Sequence, residues 1–288
     1  MPQTAFDLSP ISTSGWQGSL KLSFEQRQGK TMPLRSYTSA PLRLQRPFYP
    51  DDSGSCQSAI VHTAGGMVGG DGLDIQVRFG ERSQALVTTT AAHKVYRSSG
   101  AVAQQRIDLR LEAGAYGEWL PQETILFSGG RFHQSLRVEL GPAAVWTGWE
   151  ITRFGRSARG ERFTAGEWQS ATEVWQAGRP LWIDRQRLVG GSAVLDSAHG
   201  LAGYPVVGAI AILGHDFDPA QLDSLRALAG GADIGVTSLM KGLLCRYRGT
   251  SSQQARQWFT QVWQALRPQL GQSAACPPRV WGPSSKSS

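Results

Sequence analysis

"HTAGGMVGGDG", residues 62–72, places five glycines in eleven positions and closes on Asp71 and Gly72. Glycine this dense has two physical uses. It cradles a phosphate when a strand feeds a glycine turn that opens a helix, because the first amides of that helix point at the anion. It also supplies positive φ and lets backbones approach where one strand hands over to another. The flanking residues separate the two. Upstream, "SAIVHT" reads as a strand. Downstream, in "LDIQVRF", Leu73, Ile75, Val77 and Phe79 alternate with Asp74, Gln76 and Arg78, and that period of two marks another strand. A Walker loop needs a lysine followed by Ser or Thr, and Asp71-Gly72 stands there instead. The stretch is a strand–turn–strand connection, and nucleotide binding is set aside.

The same alternation recurs. Ile107, Leu109 and Leu111 carry it in "RIDLRLE", and Leu136, Val138 and Leu140 in "SLRVELG". Turn clusters such as "SGGR" (128–131) and "GPA" (141–143) punctuate the runs. Helical spacing comes late and twice. "PAQLDSLRALAGG" (219–231) sets Leu222, Leu225 and Leu228 on one face and stops at a glycine pair. In "SSQQARQWFTQVWQALRPQL" the residues Ala255, Trp258, Phe259, Val262, Trp263 and Leu266 form a broad apolar face, with Ser251 or Ser252 as N-cap and Pro268 as terminator. These patterns predict one mainly β domain over residues 18–282 with about two α-helices near the C-terminus. Residues 1–17 read as a flexible N-terminal segment and 283–288 as a disordered tail.

The 288 residues are 40% hydrophobic with a formal net charge of +7, which excludes a disordered chain and favours acidic partners. Cys56, Cys245 and Cys276 lie far apart with no CxxC pair, so neither a zinc site nor a disulfide framework is indicated. The N-terminus lacks the apolar core of a secretory signal, and the apolar run "VVGAIAILG" (206–214) falls short of the ~20 residues that span a bilayer. The expectation is a cytoplasmic protein with no membrane partner.

Chemical motifs are sparse. "TTTAAHKVYRSSG" (88–100) gathers His93, Lys94, Tyr96 and Arg97, but no GxSxG elbow accompanies it, so a structural or interface role outweighs catalysis. The five histidines never pair as HxH or HExxH, which leaves only weak metal contacts through lone imidazoles and carboxylates. "WEITRFGRSARGERF" (149–163) sets Arg153, Arg156, Arg159 and Arg162 at every third position. Glycines break the row, which favours arginine forks on carboxylates such as Glu150 and Glu161, or on a partner's acids. An RNA-binding protein that grips the backbone with this row is the alternative reading. Of the ten tryptophans, Trp258 and Trp263 read as core anchors, and exposed ones among the rest would suit a protein interface.

Taken in order, "HTAGGMVGGD", "TTTAAHKVYRS", "LPQETILFSGGRF" (120–132), "WEITRFGRSARGERF", "MKGLLCRYRG", "WQALRP" and "PPRVWG" (277–282) resemble the urease accessory protein UreD family, also called UreH. The 160–210 region matches that pattern only loosely. The resemblance implies a two-layer, β-superhelical (β-helix-like) fold and a non-enzymatic task. Proteins of this family join UreF and the GTPase UreG on the urease apoprotein, and the assembly inserts nickel into the urease active site. GTP hydrolysis belongs to UreG, which accounts for the missing P-loop. Nickel is expected to cross an internal channel in transit, with no tightly bound cofactor. A dimeric arrangement within the accessory complex is part of the same expectation. An ion in transit must be held well enough to enter and weakly enough to leave. Asp71, Glu118, Glu123, Glu150 and Glu161 are the candidate lining groups, with His62 and His93 as softer ligands and Arg153, Arg156, Arg159 and Arg162 as partner contacts.

Overall fold

The computed structural model describes residues 15–156, 159–228 and 233–282. The chain shuttles between two sheets. One carries β1 (Gln17–Arg27), β2 (Lys30–Thr38), β5 (Gly72–Phe79), β8 (Ala103–Leu111), β11 (Arg131–Leu140), β13 (Glu167–Gln176) and β14 (Arg179–Val189) in the order β14-β13-β11-β8-β5-β1-β2. The other has ten strands. Its main path runs β16 (Asp233–Leu239), β17 (Gly242–Gly249), β15 (Val206–Leu213), β12 (Val145–Phe154), β9 (Tyr116–Trp119), β6 (Gln84–Thr89), β4 (Cys56–His62) and β3 (Leu42–Leu44). The short β10 (Thr124–Leu126) and β7 (His93–Val95) extend it beside β12.

Strands β1, β5, β8, β11 and β13 are parallel neighbours, as are β4, β6, β9 and β12 on the other side. Each pair drawn from the two sheets is one coil of a solenoid, the two-layer β-superhelix that the resemblance implies. Antiparallel partners β2, β3, β14 and β15 finish the coils.

The alternation read in the sequence becomes a set of ladders. Leu20, Ile75, Ile107 and Leu136 share one register line, Leu22, Val77, Leu109 and Val138 the next, and Phe24, Phe79, Leu111 and Leu140 a third. All twelve are buried between the sheets. At roughly 1.5–3 kcal/mol for each large apolar side chain removed from water, these lines are the main cohesive element of the solenoid.

Helices cover the outside of the ten-stranded sheet. α2 (Ser252–Leu266) buries Ala255, Trp258, Phe259, Val262, Trp263 and Leu266, the six positions its spacing selected. Ser251 is its N-cap, accepting from the Gln254 amide, and a 3-10 turn over Arg267–Leu270 follows at Pro268. α1 (Pro219–Ala227) opens with a reciprocal Asp218–Gln221 capping box and buries Leu222 and Leu225, while Leu228 is exposed. The glycine pair expected to stop it lies outside the described residues, as do the 283–288 tail and residues 1–14 of the N-terminal segment. Beyond α2 the chain returns across the sheet. Trp281 packs on Trp149 (centroids 5.2 Å apart) and Trp263 (5.9 Å) and donates from Nε1 to Thr88 Oγ1 (2.8 Å), while Gln57 Nε2 donates to the Cys276 carbonyl (2.7 Å). None of the ten tryptophans is an exposed one, contrary to the interface expectation; the large exposed apolar groups include Tyr37 and Met240 instead.

The glycine stretch opens no helix. It is a crossover from β4 to β5, longer than the tight turn its composition suggests, because it changes sheets. Midway, Met67 exchanges backbone hydrogen bonds with Lys94 and Tyr96 and is fully buried. Gly66 (φ +151°) lies so close to that neighbour that a Cβ would stand 2.5 Å from Tyr96 Cε2 and 2.7 Å from the Lys94 carbonyl, whereas one on Gly65 (φ +72°) would meet nothing. Both lie in the φ range that penalises a side chain, but only Gly66 adds a clash. Gly66→Ala should therefore cost about 3 kcal/mol in urea denaturation and Gly65→Ala about 1 kcal/mol. Equal losses would show that close approach is irrelevant here.

Candidate functional site

The inner face of the seven-stranded sheet is not apolar throughout. One register line reads Leu73, Gln105, Gln134, Ser170 and Gln186, and the next reads Ile75, Ile107, Leu136, Thr172 and Asp184. Parallel pairing thus stacks polar groups into a band beside the hydrophobic ladders. Gln105 Nε2 donates to Gln134 Oε1 at 3.4 Å along this line.

Glu150 of β12 reaches this band from the opposite sheet. Its carboxylate accepts from Gln134 Nε2 (2.7 Å), Ser170 Oγ (3.0 Å) and Thr172 Oγ1 (3.3 Å), three neutral donors. Burial pushes its pKa above the ordinary carboxylate value, the hydrogen bonds pull it back, and nearby Asp184 adds to the rise. Glu150 lines two pockets between the sheets, both partly open to solvent, that also share Thr152 in their walls. The smaller, about 320 Å³, is lined by His62, His93, Gln105, Gln122 and Gln134. The larger, about 660 Å³, is lined by Thr172, Asp184, Gln186, His199 and Arg246 among others. At its wall Arg246 of β17 pairs with Asp184 of β14 at 3.0 Å, tying one sheet to the other.

His62 and His93 stand edge to face with ring centroids 5.5 Å apart. Nε2 of each is buried without a hydrogen-bond partner among the described residues. Burial lowers the His62 pKa, with Asp71 partly opposing. Burial and the neighbouring His62 hold His93 at about 3. Both rings are therefore neutral near pH 7, His93 with a hydrogen bond to Gln105, and a neutral imidazole is a donor suited to borderline metal ions.

The remaining candidates sit elsewhere. Asp71 caps the glycine crossover by accepting from the Val68 amide at 2.8 Å. Glu118 lies on the outer side of β9, fully buried, where it accepts from Tyr116 Oη (2.8 Å), Trp263 Nε1 and Arg267 Nε (3.2 Å). Glu123 faces Arg256 at 3.6 Å and accepts from Ser252 Oγ. Glu161 takes a bidentate fork from Arg156 (2.9 and 3.0 Å). The arginine row is no continuous strip: Arg153 donates to the Thr250 carbonyl, Arg162 pairs with Asp196, and only Arg159 is an exposed guanidinium with no pair among the described residues. Glu150 is bound by amide and hydroxyls, not by the arginine fork expected for it. The described residues hold no group of three or more His, Cys, Asp or Glu placed to bind a metal.

Gln105, Gln134, Ser170, Thr172 and Asp184 were missed from the sequence. The signal was present for two of them: Gln105 and Gln134 stand two positions before Ile107 and Leu136, so the alternation that buries the aliphatics buries the glutamines too.

Fold and site together define a β-solenoid scaffold whose apolar interior carries a polar band, with no nucleotide loop among the described residues. A family profile described as "UreD urease accessory protein" matches residues 17–282. The urease accessory protein UreD of Trichormus variabilis is 52% identical over 278 residues, covering 96% of this chain and 99% of that protein. Those of Acaryochloris marina (53%; 93% and 96% covered) and Azoarcus sp. strain BH72 (41%; 93% and 94%) are similar over nearly the same span. The chain belongs to the UreD family of urease accessory proteins, and its role lies in urease maturation. No helix among the described residues is long and apolar enough to cross a membrane.

Two outcomes test this chemistry in solution. Arg267→Ala strands the Glu118 carboxylate in a buried site and should cost about 3–5 kcal/mol, whereas the Arg267→Met, Glu118→Gln pair should recover most of that loss, read by denaturant titration. For His93 the folded pKa of about 3 lies below the ordinary 6.5, so the folded state binds fewer protons between those values. Its contribution is full above pH ~6.5 and is lost as pH falls toward 3. The wild-type denaturation midpoint should fall more steeply than that of His93→Gln over this window; parallel profiles would contradict the burial of a neutral ring.

Proposed function

We propose that this chain is a non-catalytic subunit of the urease maturation machinery, working with UreF and the GTPase UreG in the cytoplasm, and that nickel crosses its interior on the way to the urease apoprotein. The observation that carries the reading is Glu150, a half-buried carboxylate with only neutral donors where two pockets meet. A carboxylate already paired with arginine has no charge to spare. One held by amide and hydroxyls can accept a cation, because those donors can turn or yield.

The route runs from the His62–His93 pair, past Gln105 and Gln134, to Glu150 and on into the larger pocket, where Asp184 is already held by Arg246. One full carboxylate and a few neutral ligands bind a divalent ion less tightly than a closed four-ligand cage, and retained waters complete the shell. That suits cargo in transit. Asp71, Glu118, Glu123 and Glu161 serve the framework in this reading, through the caps and ion pairs described above.

Co-expression with the urease subunits and the other accessory proteins tests the route. Glu150→Gln should lower the nickel content of purified urease by about ten-fold or more while the accessory complex still co-purifies. Glu161→Gln, placed outside both cavities, should stay within about two-fold of wild type. Full nickel loading by the Glu150→Gln protein would defeat the passage, and loss of co-purification would move Glu150 to an assembly role.

A further inference from the structure

The two outer surfaces of the solenoid differ. Helices α1 and α2 and the returning C-terminal segment lie over the ten-stranded sheet. The outer face of the seven-stranded sheet presents polar and charged side chains to solvent. A shallow depression there crosses β2, β1, β5, β8 and β11, and its lining includes Lys21, Arg35, Arg78, Arg110 and Arg137 against two carboxylates, Asp108 and Glu139.

The acids nearby are already shared. Glu112 takes both Arg78 (3.0 Å) and Arg110 (3.3 Å), and Glu173 takes both Arg137 (3.2 Å) and Arg185 (3.0 Å). Arg137 also holds Glu139. A guanidinium carries five N–H donors, and Arg78 and Arg110 each engage Glu112 through Nε, which leaves donors of both forks for a further acceptor. Arg110 keeps 73% of its side chain exposed. Lys21 and Arg35 are exposed and have no ion pair among the described residues. Guanidinium forks match carboxylates bidentately.

We propose that this open sheet face docks a protein partner through that partner's acidic surface. The interspersed Asp108, Glu139 and Glu112 oppose a continuous phosphate backbone or an anionic lipid plane, but a protein can set its own lysines against them. Tyr37 and Met32 of β2 are 58% and 45% exposed on the same side and supply the apolar anchors usual at protein interfaces. A second copy offering the same face would be repelled. This inference is independent of the nickel route, because the depression lies on the opposite side of the sheet from both cavities.

The test uses the full chain and three fluorescent probes at low salt: polyglutamate of about 20 residues, poly(U) of about 20 nucleotides, and phosphatidylserine vesicles. Polyglutamate should bind, and Lys21→Glu with Arg35→Glu should weaken it about ten-fold or more. The reversal pair Arg43→Glu with Lys241→Glu, exposed elsewhere, should change it by less than about two-fold. Lys21→Gln with Arg35→Gln should give an intermediate loss and covers the case in which charge reversal disturbs folding. Unchanged polyglutamate binding in the Gln pair and in the folded Glu pair would overturn the proposal. So would tighter binding of poly(U) or vesicles than of polyglutamate, if that binding were lost in the same variants.

Discussion

Parallel register between successive coils is the constraint on which this molecule depends. Each of β5, β8 and β11 offers its neighbours a complete row of amides and carbonyls, and the side chains follow with a period of two. A slip of one residue would turn Gln76, Asp108 and Arg137 into the core and put Val77, Leu109 and Val138 in water. Burial of the aliphatic ladders therefore fixes the register as firmly as the hydrogen bonds do. The outermost strands of such a stack would expose sticky edges. Pro33 and the register shift beside it break the edge of β2, and the main path of the other sheet ends on two antiparallel strands, β16 and the three-residue β3.

The same register also builds the polar band. Whatever stands at a given depth in one coil stands beside its counterpart in the next, so inward glutamines and hydroxyls line up as surely as leucines do. Two glutamates, Glu118 buried and Glu150 half-buried, show how much depends on the face. Glu118 faces the helical layer, meets Arg267 and becomes part of the frame. Glu150 faces the other sheet and meets only amide and hydroxyl groups. Both are glutamates on adjacent strands of one sheet, and the difference in their chemistry comes from the side on which each projects.

The architecture was legible because its signal is local. "LDIQVRF", "RIDLRLE" and "SLRVELG" declare their faces within seven residues each, and α2 declared all six of its buried positions. Rejecting a phosphate loop at 62–72 was likewise local, since it needed only the strand pattern downstream. The site was less legible because its members come from β8, β11, β12, β13 and β14, and nothing within any one strand reveals which glutamate will find an arginine. Arg267 lies 149 positions from Glu118. The arginine row failed for the same reason: equal spacing along the chain gave no common surface once a bend and separate partners intervened.

The returning segment has a bearing on how the molecule is made. Trp281 and the residues near Cys276 leave the ribosome after β1 to β17, α1 and α2. The coils can stack as they emerge, since each needs only its predecessor. The surface around Trp149 and Trp263 stays open until the returning segment has been made. Vectorial assembly thus includes a closing step later than the stacking of the coils, and the nascent protein carries an uncovered aromatic seam until that moment.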